Sequence, residues 1–159
     1  MRKKHLDNAY NNILKDEFEI FSLTLPISII YKSLYNKIET LLQSKYNLIH
    51  SEIDVLAALF FNKKVLSPTE LYDATIFSSG GMTKVLKKLE EKKLIKRVPS
   101  DNDKRSKLVK IEPKGEKLLQ ESLKEIIKTN NKIFSVLDEK EKKELREIFK
   151  KLVYSFIEE

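Results

Sequence analysis

Thr83, Lys84, Lys87 and Lys88 recur at helical spacing, with Ser79 and Gly80 one turn earlier. On one face of a helix this set can recognise a polyanion, with small hydrogen-bonding groups at one end for bases and lysines farther along for phosphates. Downstream, Asp101-Asn102-Asp103-Lys104-Arg105 puts two cations on a short charged turn, where an arginine suits the narrow, electronegative minor groove of DNA. The location of the charge supports this reading. From Ser78 to Ile111 there are eleven Lys and Arg against four Asp and Glu, a net +7, which is the entire net charge of the chain. A clustered basic segment attracts polyanions, whereas scattered lysines mainly confer solubility.

Bond-making chemistry has little to work with. The 159 residues contain no cysteine and two histidines, His5 and His50. A disulfide, a thiolate zinc site, a thiol nucleophile and a cysteine redox switch are therefore excluded, and a metal site would need mostly carboxylates. Ser78-Ser79-Gly80-Gly81-Met82-Thr83-Lys84 lacks the spacing of a phosphate-binding loop, and Asp101-x-Asp103 lacks the glycine and glutamate of a calcium loop. We expect no enzyme, no cofactor and no metal.

The elements that must position the basic face follow from apolar spacing. Leu6, Tyr10, Ile13, Leu14, Phe18 and Phe21 form one helical stripe. Thr24 and Pro26 then suit the start of a second helix through Ile30, Leu34, Ile38, Leu41 and Leu42 to about Tyr46. A shorter helix over 51–61 buries Ile53, Leu56, Ala57 and Phe60. Ser67-Pro68-Thr69-Glu70 reads as a capping box with a first-turn proline. Ser78 or Ser79 caps the next helix, whose Met82, Val85, Leu86 and Leu89 face the core. Ile95 to Val98 and Leu108 to Ile111 read as a two-stranded hairpin. Pro113 opens a long amphipathic helix, and Asp138 caps a final one carrying Leu145, Ile148, Phe149, Leu152, Val153, Phe156 and Ile157, a broad stripe that needs a partner.

A helix, a turn, a second helix and a basic hairpin follow the order of a winged helix-turn-helix. The expected fold class is mostly α with a small β-hairpin wing, flanked by N- and C-terminal dimerisation helices. Leu86-Lys87-Lys88-Leu89-Glu90-Glu91-Lys92-Lys93-Leu94-Ile95-Lys96-Arg97, then Asp103-Lys104-Arg105, then Val109-Lys110-Ile111-Glu112-Pro113-Lys114-Gly115, resembles the signature of the multiple-antibiotic-resistance repressor (MarR) family, as does Ser79-Gly80-Gly81-Met82-Thr83. The resemblance implies a homodimer on double-stranded DNA. It implies that the face from Ser79 to Lys88 reads the major groove and that Arg105 enters the minor groove, with Asp103 orienting basic neighbours such as Arg97. Ser78 and Lys107 complete the candidate DNA-binding set. The resemblance also implies a small aromatic or phenolic effector, for which Tyr31, Tyr35 and His50 are the candidates. The plainer reading makes the tyrosines core residues and His50 a helix-start residue. Lys93 stands where the family usually has a glycine that relieves a left-handed backbone.

The expected organisation is 1–46 for N-terminal dimerisation helices, 47–112 for the DNA-binding lobe and 113–159 for C-terminal dimerisation helices. The apolar stretches fall short of the roughly 20 residues that span a bilayer, so no membrane partner is expected and a cytoplasmic location is. The functional expectation is a DNA-binding transcription regulator, with repression by blocking polymerase. The alternatives are a winged-helix protein-interaction module and a non-specific DNA-binding protein.

Overall fold

A computed structural model describes residues 3–13, 18–75, 79–100 and 107–156. The chain divides into two compact units, residues 1–50 and 51–159. In the first unit, α1 spans Lys3–Ile13 and α2 spans Phe21–Tyr46. The apolar stripe from Leu6 to Phe21 is therefore not one helix, and α2 starts before the Thr24-Pro26 pair expected to open it. Backbone bonds from Ser22 N to Glu19 O (2.8 Å) and Leu23 N to Ile20 O (3.1 Å) make a tight turn that begins α2 early. Pro26 then lies inside the helix. Its missing N–H removes one bond close to the end, where unpaired N–H groups are already the rule. At the other end Asn47 takes a left-handed φ of 51° and donates its N–H to Leu42 O.

The second unit holds the helix-turn-helix and the wing. Helix α3, His50–Phe61, crosses from one unit to the other and buries Ile53, Val55, Leu56, Ala58 and Leu59. Ala57 and Phe60, expected in that core, are only partly covered, because the buried arc is centred about one residue away. Strand β1 (Val65–Leu66) follows, then α4 (Pro68–Asp73). The capping box is formed as expected: Ser67 N donates to Glu70 Oε2 at 2.7 Å, and Glu70 N donates to Ser67 Oγ at 3.2 Å. The backbone N–H of Ser67 first, and then its hydroxyl, hold the Glu70 carboxyl below its ordinary pKa.

Helix α5 (Ser79–Glu91), β2 (Ile95–Pro99), β3 (Lys107–Ile111), α6 (Pro113–Phe134) and α7 (Glu139–Ser155) complete the chain. The sheet has three strands rather than two, in the order β1-β3-β2, all antiparallel. Val65 pairs with Lys110 and Leu66 with Val109, and β2 pairs with β3 from Ile95–Ile111 to Pro99–Lys107. Leu71, Met82, Val85, Leu86, Leu89, Leu94, Ile95, Val109, Ile111 and Leu119 join the α3 residues in the core. Asp138 caps α7 through a second capping box with Glu141, as its position before the apolar stripe predicts. Among the described residues, no helix is long and apolar enough to cross a membrane.

Candidate nucleic-acid interface

Helix α5 carries the candidate reading face because its burial is one-sided. Met82, Val85, Leu86 and Leu89 are buried, while Thr83, Lys84, Lys87 and Lys88 are exposed. Ser79 and Gly80 form its first residues, one turn N-terminal to Thr83 and Lys84. Lys84 and Lys88 have no carboxylate partner among the described residues, and Lys87 only approaches Glu91 at 4.0 Å. Exposed i,i+4 pairs of this kind contribute little, so all three ammonium groups are available to phosphates. Lys107 opens β3, exposed and opposite Pro99, at the base of the wing. Ser78, Asp103, Lys104 and Arg105 lie outside the described residues.

Other cations of the basic segment are already engaged. Arg97 Nε donates to both oxygens of Glu90 at 3.1 and 3.2 Å, tying β2 to the last turn of α5. Lys96 pairs with Glu112 at 2.8 Å. Lys92 Nζ donates to both Glu52 oxygens at 2.7 and 2.9 Å, with Glu52 only 1% exposed. A count of charges along the sequence cannot separate these structural pairs from the free lysines of α5. Glu52 did carry a signal, since it is a carboxylate on the buried stripe of α3 and requires a cation. Its partner lies 40 residues away, beyond the reach of local patterning.

The junction from α5 to the wing is tightly specified. Lys93 N bonds Glu90 O at 2.9 Å and Leu94 N bonds Leu89 O at 2.9 Å, the two bonds of a Schellman end. Lys93 takes φ 59°, so the left-handed turn expected of a glycine is made here by lysine. Glu112 N then donates to Leu94 O at 2.9 Å, and Lys114 Nζ to Lys92 O at 3.0 Å. A Cβ on Gly115 would meet Leu94 O at 2.3 Å, so only glycine lets α6 start against this turn.

In the first unit, the three candidate effector residues come together. The Tyr35 and His50 rings stack at 4.1 Å and 9°, and Tyr31 tilts against Tyr35 at 5.8 Å. Glu39 Oε2 accepts the His50 backbone N–H at 3.0 Å and lies 2.6 Å from Nδ1 of the same ring. Tyr31 and Tyr35 are exposed rather than core residues, and His50 is half-buried at the start of α3.

Two helices joined by a turn, with a three-stranded wing packed behind the second, define a winged helix-turn-helix protein. The MarR family's sequence model matches residues 46–106. The HTH-type transcriptional regulator PecS of Dickeya dadantii (strain 3937) is 30% identical over 105 residues, covering 65% of this chain and 63% of that relative's length. The fold is similar to that of the transcriptional regulator BldR from Sulfolobus solfataricus, with a TM-score of 0.76, 24% identity, and coverage of 89% of this chain and 99% of that one. It is also similar to a cysteine-to-serine variant of MarR from E. coli complexed with operator DNA, with a TM-score of 0.73, 22% identity, and coverage of 87% and 99%. The chain belongs to the MarR family.

Proposed function

We propose that the protein is a sequence-specific, double-stranded-DNA-binding transcription regulator that acts as a homodimer on a pseudo-palindromic operator. The observation that carries this reading is the unpaired face of Thr83, Lys84, Lys87 and Lys88 on α5, set beside the wing. The relative PecS, described as a transcriptional regulator, and the operator complex of the MarR variant support it. Ser78, Ser79, Gly80 and Thr83 meet base edges at the helix N-terminus, Lys84, Lys87, Lys88 and Lys107 hold phosphates, and Lys104 and Arg105 bring the wing tip to the minor groove. Asp103 orients the wing cations, while Arg97 acts from its place beside Glu90.

Repression follows by occluding polymerase. A small aromatic or phenolic effector stacks against Tyr31, Tyr35 and His50 and relieves it, a role supported by the ring cluster in the first unit. Dimerisation uses the N- and C-terminal helices, as the exposed apolar residues of α2 and α7 support. The test is fluorescence anisotropy with the DNA upstream of the protein's own gene against a shuffled duplex, with competitor, at two salt concentrations. The wild type should prefer the upstream duplex, and Lys84→Ala or Arg105→Ala should cost about 1–3 kcal/mol. Equal weak binding to both duplexes would reduce the reading to non-specific coating.

A further inference from the structure

We infer that the buried Glu52–Lys92 pair is a positioning device that fixes the end of the reading helix, contributing to DNA discrimination rather than to net stability. The inference rests on the DNA-binding reading proposed above.

Glu52 is 1% exposed and sits between the buried stripe residues of α3. Lys92 is the residue immediately after α5, and its ammonium meets both Glu52 oxygens at 2.7 and 2.9 Å. Its carbonyl is held in turn by Lys114 from α6 at 3.0 Å. One residue thus ties the C-terminal end of α5 to two other helices. The helix rises about 1.5 Å per residue, so a loosened end swings Thr83 and Lys84, two to three turns away, through the largest arc.

A buried ion pair is a poor way to gain stability. Desolvating both charges offsets most of their attraction, and well-packed apolar residues of similar size are often as good or better. What such residues lack is direction: a bidentate pair accepts one geometry, whereas apolar side chains slide. The pair is therefore suited to setting where α5 points. Lys92, turned inward onto Glu52, is not one of the phosphate-facing lysines.

The test compares the full-length wild type with Glu52→Met/Lys92→Met, which removes both charges at similar volume. Lys92→Met alone strands a buried carboxylate and serves as the control for misfolding. The double variant should keep the wild-type urea midpoint. The amides of Lys92, Lys93 and Leu94 should exchange about tenfold faster while those of Leu56 and Leu59 are unchanged. The preference for the upstream duplex over the shuffled one should fall about tenfold with an unchanged salt slope. Unchanged exchange at 92–94 would overturn the inference whatever the DNA result, and so would a salt slope lower by about one, which would make Lys92 a phosphate contact. A wild type without preference for either duplex would instead overturn the DNA reading, leaving the exchange result to decide the role of the pair.

Discussion

The stretch from α3 to the start of α6 and the final helix α7 are written in the same amphipathic pattern, yet only the former completes its packing within the chain. In the winged helix-turn-helix, Leu56, Leu59, Leu71, Leu89, Leu94, Val109, Ile111 and Leu119 are essentially inaccessible. Helix α7 has no buried residue, and Ile148, Phe149, Leu152, Val153 and Phe156 remain exposed on it. In the first unit, α2 buries only Leu42 and exposes Phe21, Leu23, Ile27 and Ile30. Apolar faces of this extent are unusual on a monomer. The difference assigns two tasks: the winged lobe is locally self-sufficient and presents charge, while the terminal helices hold their apolar surface in reserve for a second copy.

Breaking the self-sufficient region should produce the largest effect. Gly115→Ala puts a methyl group against Leu94 O, where the capped end of α5 leaves no room to move. We expect a loss of about 3 kcal/mol, read as a lower urea midpoint. The reserved surface should respond differently. Leu152→Asp should raise the dimer dissociation constant at least about a hundredfold by sedimentation while the winged core still unfolds cooperatively, because α7 gives that core no buried residue.

The other changes sharpen the same contrast with smaller effects. Lys93→Gly should stabilise the fold by about 1 kcal/mol, seen as a higher Tm, because a lysine at φ 59° carries a strain that glycine does not. At α4, the carboxyl of Glu70 has a lowered pKa in the folded state. Its contribution is present above the pKa it has in the unfolded chain and is lost as pH falls through the lower folded value. Glu70→Gln should therefore flatten the acid limb of the stability curve below the ordinary carboxylate range while leaving the slope near neutrality unchanged.

Local chemistry made much of the fold legible. The capping boxes at Ser67–Glu70 and Asp138–Glu141, the start of α6 at Pro113 and the one-sided burial of α5 depend on residues within a turn or two of one another. What escaped were features fixed at long range or too short to show a period. Strand β1 has two residues, too few for alternation, and exists because β3 offers it an edge. Pro26 suits a helix start, and the turn before Phe21 overrides that preference. For the candidate interface, sequence spacing grouped Thr83, Lys84, Lys87 and Lys88 on the exposed face they occupy. It did not reveal that Arg97 is engaged by Glu90 or Lys92 by Glu52, because those pairings depend on how the wing and α3 fold back onto α5. Tyr31, Tyr35 and His50 were grouped through family resemblance, and the stacking that joins them spans the bend between α2 and α3.

The central claim is that two copies, joined by their terminal helices, present two basic reading helices to one operator at a separation of about 34 Å. Sedimentation velocity of the wild type with labelled upstream duplex, against a shuffled duplex of equal length, tests it most directly. The account predicts a dimer that binds the upstream duplex as two chains per duplex at concentrations where the shuffled duplex stays free. A monomer, or a folded dimer that leaves both duplexes free, would contradict it.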